Sequence, residues 1–134
     1  MSMIDKLAWI EIKNQHILST RSKGKDIYYL PGGQREPGES DHDALVREIR
    51  EELSVELQKN SIQYIGTWEA QAHGHAEGVM VRMTCYTGKY TGQLTPAAEI
   101  AELAWLNYSH REQTSPVDKI IFDYLLEKEL IRKR

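Results

Sequence analysis

Apolar residues along this chain change their period several times, and each change marks an element. Residues 3–12 read as a strand with Leu7 and Trp9, and further on Ile12, turned inside. Lys13-Asn14-Gln15 supplies a turn, and residues 16–20 read as the return strand of a hairpin. A polar loop, residues 21–26, leads to a short aromatic strand at 27–30 that stops at Pro31-Gly32-Gly33. The period then lengthens. Leu45, Ile49 and Leu53 make an i, i+4, i+8 stripe that predicts a helix facing a core. Ser40 is its N-cap with Asp43 three residues on, and residues 53–55 leave the helix.

Residues 62–72 alternate loosely, and after a turn-like tip at 73–78 the positions Val79, Val81, Met83 and Cys85 alternate cleanly. The two runs predict a long hairpin. A further turn region at 88–92 follows, and the run 99–106 leads into a final strand. Ser115-Pro116-Val117-Asp118 is a second helix start, with an N-cap, Pro at N1 and an acid at N3. Val117, Ile120, Ile121, Tyr124 and Leu125 are its expected packing face. This order predicts an α+β or α/β sandwich with a mixed sheet between helices, in one domain spanning 1–134.

A hydrophobic content of 40% and a charged content of 28% fit a soluble globular chain. The net charge of −3 argues against a general nucleic-acid binder. Cys85 is the single cysteine, so neither an intrachain disulfide nor a thiolate metal cluster can form, and it reads as a packed hydrophobe. No apolar run reaches the roughly 20 residues of a membrane span, and no secretory pattern opens the chain. The expectation is a cytoplasmic protein, monomer or homodimer.

The first helix carries the chemistry. Glu48, Glu51 and Glu52 fall within an arc of about 100° on it, beside Ala44, which is expected to leave open space next to the acids. Like charges at helical spacing repel, and a cation would relieve them. Hard cations such as Mg²⁺ prefer oxygen ligands shared between carboxylates and substrate phosphates. Gly32-Gly33 allows close backbone approach. The competing reading is a solvated charged surface.

The spacing decides between them. Gly33, five residues, Glu39, seven residues and then Arg47-Glu48-Ile49-Arg50-Glu51-Glu52-Leu53-Ser54-Val55 resembles the Nudix box, G-x5-E-x7-R-E-U-x-E-E-x-G-U with U aliphatic. Every specified position matches except the last glycine, here Ser54. The resemblance implies a Nudix-type α/β/α sandwich with a central mixed sheet. It implies a hydrolase of nucleoside diphosphates linked to a further moiety, using Mg²⁺ or Mn²⁺.

Carried over by position, Glu48, Glu51 and Glu52 would be metal ligands, with the Gly32 carbonyl as an additional one. Glu51 or Glu52 would also orient or deprotonate the attacking water. Arg47 would pair with Glu39 as a strut behind the ligands. Crowded carboxylates should have raised pKa values, favouring activity at neutral to alkaline pH. Outside the box, Glu99 is a candidate extra ligand or base with Glu102 as its competitor, and Arg21 a candidate phosphate contact. Tyr28, Tyr29, Trp68 and Trp105 could stack a base. His73 and His75 read as mobile tip residues rather than metal ligands. The reading is a MutT-like nucleotide pyrophosphohydrolase that takes a small nucleotide. The alternatives are a nucleoside-diphosphate-sugar or dinucleoside-polyphosphate hydrolase and a non-catalytic nucleotide sensor.

Overall fold

The computed structural model describes residues 2–134. Strand β1 (Met3–Trp9) lies inside a four-stranded mixed sheet of order β4-β1-β7-β6, made with β4 (Gly32–Gly33), β6 (Gln63–Gln71) and β7 (Met80–Thr87). It runs parallel to β7 and antiparallel to β4. Both faces of β1 are covered, which is why its end is apolar without alternation. Leu7 and Trp9 pack with Leu45, Ile49 and Leu53 of helix α1 (Asp41–Leu53). Ala8, and Ile10 just beyond the strand, pack with Val117, Ile121, Phe122 and Leu125 of helix α2 (Pro116–Glu127). The mixed sheet therefore sits between the helices, an α+β sandwich.

The expected 3–12 strand is broken at Ile10-Glu11, where the chain changes sheets. Only β2 (Ile12–Lys13) pairs with β3 (His16–Ser22), across a turn whose Asn14 and Gln15 both have positive φ. β3 continues against β9 (Ile100–Leu106). The short pair β5 (Glu56–Leu57) and β8 (Tyr90–Thr91) closes the far end. The aromatic stretch 27–30 is not a strand: Tyr29 bridges Thr20 and Tyr28 bridges Thr114, one residue each. The hairpin of β6 and β7 is as the alternation predicts, with a register shift between Tyr64 and Gly66. Val81, Met83 and Cys85 are buried in step.

Helix α1 starts where its cap predicts, Ser40 Oγ accepting from Asp43 N at 3.1 Å. It ends at Ser54 in the left-handed region, φ 64°. Ala44 is wholly buried against the sheet, so it belongs to the core and leaves no space beside the acids. On α2, Ile120 is exposed and Phe122 takes the inward position. Asp118 is also turned inward: its Oδ2 accepts from Leu30 N at 3.0 Å, fastening the turn before Pro31 to the helix.

Candidate active site

Residues Pro31 to Gly33 pass close over the ends of β1 and α1. Gly32 has φ 145°, and a Cβ there would strike the Leu7 carbonyl. At Gly33 a Cβ would occupy the space of the Glu48 carboxylate. The glycine pair thus leaves room for an acid against backbone. Gly32 N donates to Glu52 Oε1 at 3.0 Å, so α1 and β4 are joined through a carboxylate.

Arg47 organises the other side of the acids. Its Nε donates to Glu39 Oε2 at 2.7 Å and its Nη2 to Glu39 Oε1 at 2.8 Å. Its Nη1 donates to Glu48 Oε1 at 2.9 Å, and Nη2 reaches the Gln34 carbonyl at 3.1 Å. Glu39 also accepts from the Glu36 amide at 2.7 Å. These bonds, Arg47 foremost, hold the Glu39 carboxyl at about 2, well below its ordinary value. Arg47 therefore joins the loop to the helix and aims Glu48.

The acids themselves differ. Burial raises Glu48 above its ordinary value, against the pull of Arg47. Burial pushes Glu52 up to about 8, with Glu48 and Glu99 adding to it while Gly32 N and Lys6 oppose it. Glu51 stands half in solvent, its oxygens 3.4 and 3.5 Å from Arg47 Nη1.

A cavity of about 610 Å³ opens beside these groups, lined by Gly32, Gly33, Arg47, Glu48, Glu52 and Glu99 among others. Glu99 is brought in because its loop is tied to the end of α1, Ala97 N donating to Glu52 O at 2.9 Å. Glu51, Glu39 and Arg21 do not line it. Arg21 is held by Glu102 at 2.7 Å and by the Lys25 carbonyl at 3.0 Å, and Tyr28 OH also donates to Glu102 at 2.9 Å. Lys25, from the same loop as Arg21, lines the cavity instead.

Of the aromatic candidates, Tyr29 faces the cavity, while Trp68 packs on Tyr124 at 5.0 Å and Trp105 lies under Lys13. His73 sits edge-on to Tyr29 at 6.3 Å, and both tip histidines line the cavity. The tip is fastened: Gln71 Nε2 donates to the Ala76 carbonyl at 2.9 Å, and Gly78 N returns a bond to Gln71 Oε1 at 3.0 Å. Sequence reasoning missed this clip, and it missed Lys6 on the cavity floor. A lysine interrupting an apolar strand row was the available signal.

A model of the NUDIX domain matches residues 7–124. The chain belongs to the NUDIX family. It is a Nudix hydrolase, an enzyme acting on phosphoric anhydride bonds. It is 28% identical over 113 residues to the uncharacterized Nudix hydrolase YvcI of Bacillus subtilis, covering 83% of this chain and 72% of that protein. It is 32% identical over 109 residues to the NAD-capped RNA hydrolase NudC of Pseudomonas fluorescens, covering 80% of this chain but 36% of that protein. The chain thus spans about a third of the length of that relative. The solution structure of the Escherichia coli ORF135 protein is 26% identical, with a TM-score of 0.75 over 96% of this chain and 92% of that one. A MutT protein from Methanosarcina mazei, at 16% identity and TM-score 0.75 over 96% of each chain, shares the fold.

The donor set fits a hard divalent cation. It is all oxygen, and Glu52 is a half-buried carboxyl whose ionised form is favoured by a positive neighbour. Among the described residues no three acids or histidines form a closed cage. Among the described residues no helix is long and apolar enough to cross a membrane.

Proposed function

We propose that this Nudix hydrolase cleaves the diphosphate linkage of a nucleoside triphosphate or related nucleotide, releasing a nucleoside monophosphate and pyrophosphate. The observation that carries the reading is the pairing of a half-buried, raised-pKa Glu52 with an Arg47-aimed Glu48 on one wall of the cavity. Glu48, Glu51 and Glu52, with the Gly32 carbonyl, would hold Mg²⁺ or Mn²⁺. When bound, the cation supplies charge neutralisation of the diphosphate and lowers the pKa of a water.

The chain's own residues do the rest. Glu39 and Arg47 fix the direction of Glu48. Gly32 N keeps Glu52 against β4. Glu99, in the cavity and without a hydrogen bond or ion pair to the other described side chains, accepts the proton of the attacking water. Tyr29 and His73 form the aromatic corner for the nucleoside.

A second reading, hydrolysis of a dinucleotide-type or nucleoside-diphosphate-sugar substrate, draws support from the similarity to a NAD-capped RNA hydrolase. One plate separates them. Purified protein with Mg²⁺ or Mn²⁺ is offered canonical and oxidised deoxynucleoside triphosphates, nucleoside-diphosphate sugars, NAD, dinucleoside polyphosphates and capped RNA, with products identified. Pyrophosphate released from a triphosphate supports the first reading, and two monophosphates from NAD the second. Ligand binding with no turnover would leave a non-catalytic sensor.

A further inference from the structure

Lys6 stands where the pattern of β1 asks for an apolar residue. Ile4, Ala8 and Ile10 share its side of the strand and belong to the core under α2. In the parallel ladder Ile4 lies beside Val81 and Lys6 beside Met83, and all four line the cavity. The sheet is thus the cavity floor, and Lys6 is a cation set into an apolar floor.

The cavity's two arginines are already engaged, and its other lysine, Lys25, is exposed on the loop before Tyr28. Arg47 is held by Glu39 and Glu48, and Arg35 by Asp5 and Asp41 at 2.7 and 2.9 Å. Lys6 is half-buried, yet among the described residues it makes neither a hydrogen bond nor an ion pair within 4.0 Å. The fields of Glu52 from α1 and Asp118 from α2 both act with its charge, but neither carboxylate is in contact. A half-buried ammonium without a partner is unfavourable. Its stem can lie along the apolar floor while the head reaches the open cavity. A head so placed offers three donors and a positive charge to whatever enters.

We propose that Lys6 is a phosphate-binding residue, its ammonium taking a non-bridging oxygen of the substrate's diphosphate from the sheet floor while the α1 carboxylates serve the other side. This rests on the diphosphate-hydrolase reading above. It adds a cation that the motif on α1 does not contain. It also favours substrates with charge in excess of what one divalent cation neutralises, such as a triphosphate.

The test uses Lys6→Met, which keeps the stem and removes the charge, and Lys6→Arg, which keeps the charge. Calorimetry with Mg²⁺ measures binding of pyrophosphate, of an imidodiphosphate nucleotide analogue that resists hydrolysis, and of the bare nucleoside. The Kd of both phosphate ligands rises at least about tenfold in K6M, the size of one charged hydrogen bond, and K6R recovers most of it. Nucleoside binding is unchanged, and the Tm of K6M is no lower than that of the parent because no native partner is lost.

An unchanged Kd overturns the proposal. An equal loss for the bare nucleoside also overturns it, by assigning Lys6 to a base carbonyl. A lower Tm with unaltered phosphate binding makes Lys6 a counter-ion for Glu52 and Asp118 instead. A parent protein that turns over nucleotides while K6M matches it sinks this inference alone, whereas a parent inert on every substrate sinks the hydrolase reading with it.

Discussion

Glu52 Oε1 lies 3.0 Å from the Gly32 amide that donates to it, and this bond ties helix α1 directly to the glycine turn. The same residue is half-buried beside the cavity, and its carboxyl is largely shielded from water. One hydrogen bond does not replace the water it has lost, so its proton is held tightly.

That has a consequence for stability. An acid whose folded pKa exceeds its unfolded value binds more protons in the native state, so stability falls as pH rises between the two values. For Glu52 the window runs from 4.5 to about 8, and Asp118, buried and pushed up to about 7, adds to the slope in its lower part. In EDTA, denaturant unfolding should show stability declining from pH 5 to pH 8, and Glu52→Gln should flatten the decline above pH 7. Mg²⁺ should stabilise more at pH 8 than at pH 6, where Glu52 must first release a proton. A metal-free profile flat from pH 5 to 8 would contradict the burial argument.

Arg47 uses a planar fork to hold two oxygens of Glu39 while a further nitrogen aims Glu48. Lysine keeps the charge and cannot reproduce that geometry. Arg47→Lys should therefore lower kcat by roughly 10–100-fold, the range found when the support behind a metal ligand is removed. Glu39→Gln should fall in the same range, and the double variant should be no worse than the poorer single one, since both act through one device. Steady-state kinetics on the best substrate reads this directly; additive losses would show two separate roles.

Local features were legible in the sequence because local chemistry dictates them. Ser40 caps α1, the stripe Leu45-Ile49-Leu53 faces the core, and Arg47 meets Glu39. What the sequence hid depends on distant partners. The break at Ile10-Glu11 arises because β1 pairs with β7, 77 residues on, while β2 pairs with β3. Asp118 looked like an ordinary first-turn acid until Leu30 N was found on it. Glu99 was the candidate on spacing with Glu102 as its competitor, and the fold separates them: Glu102 is taken by Arg21 and Tyr28, Glu99 enters the cavity.

Ser54 ends α1 with φ 64°, the position where the Nudix pattern has glycine. A Cβ in the left-handed region costs about 1–2 kcal/mol. Part is offset by Ser54 Oγ donating to the Thr95 carbonyl at 3.2 Å in an exposed setting. Ser54→Gly should raise stability by about 0.5–1 kcal/mol, after the extra chain entropy of glycine is deducted. Urea denaturation measures it; a loss of stability would show that the Thr95 bond outweighs the backbone strain.

The two glycines of the turn should respond differently to the same substitution. Gly32 has φ 145° and its Cβ would meet the Leu7 backbone, which cannot move without disturbing β1. Gly32→Ala should therefore impair folding itself, visible as poor soluble yield or a Tm drop. Gly33 does not have a positive φ, and what its Cβ would meet is the Glu48 carboxylate, the far end of a flexible side chain. Gly33→Ala should fold with a near-parental Tm while Glu48 is pushed out of position. A displacement of that kind near reacting groups can cost about 100-fold in rate. Activity lost with the fold intact at residue 33, and the fold lost at residue 32, is the expected pair of outcomes; near-parental turnover in Gly33→Ala would remove Glu48 from the proposed ligand set.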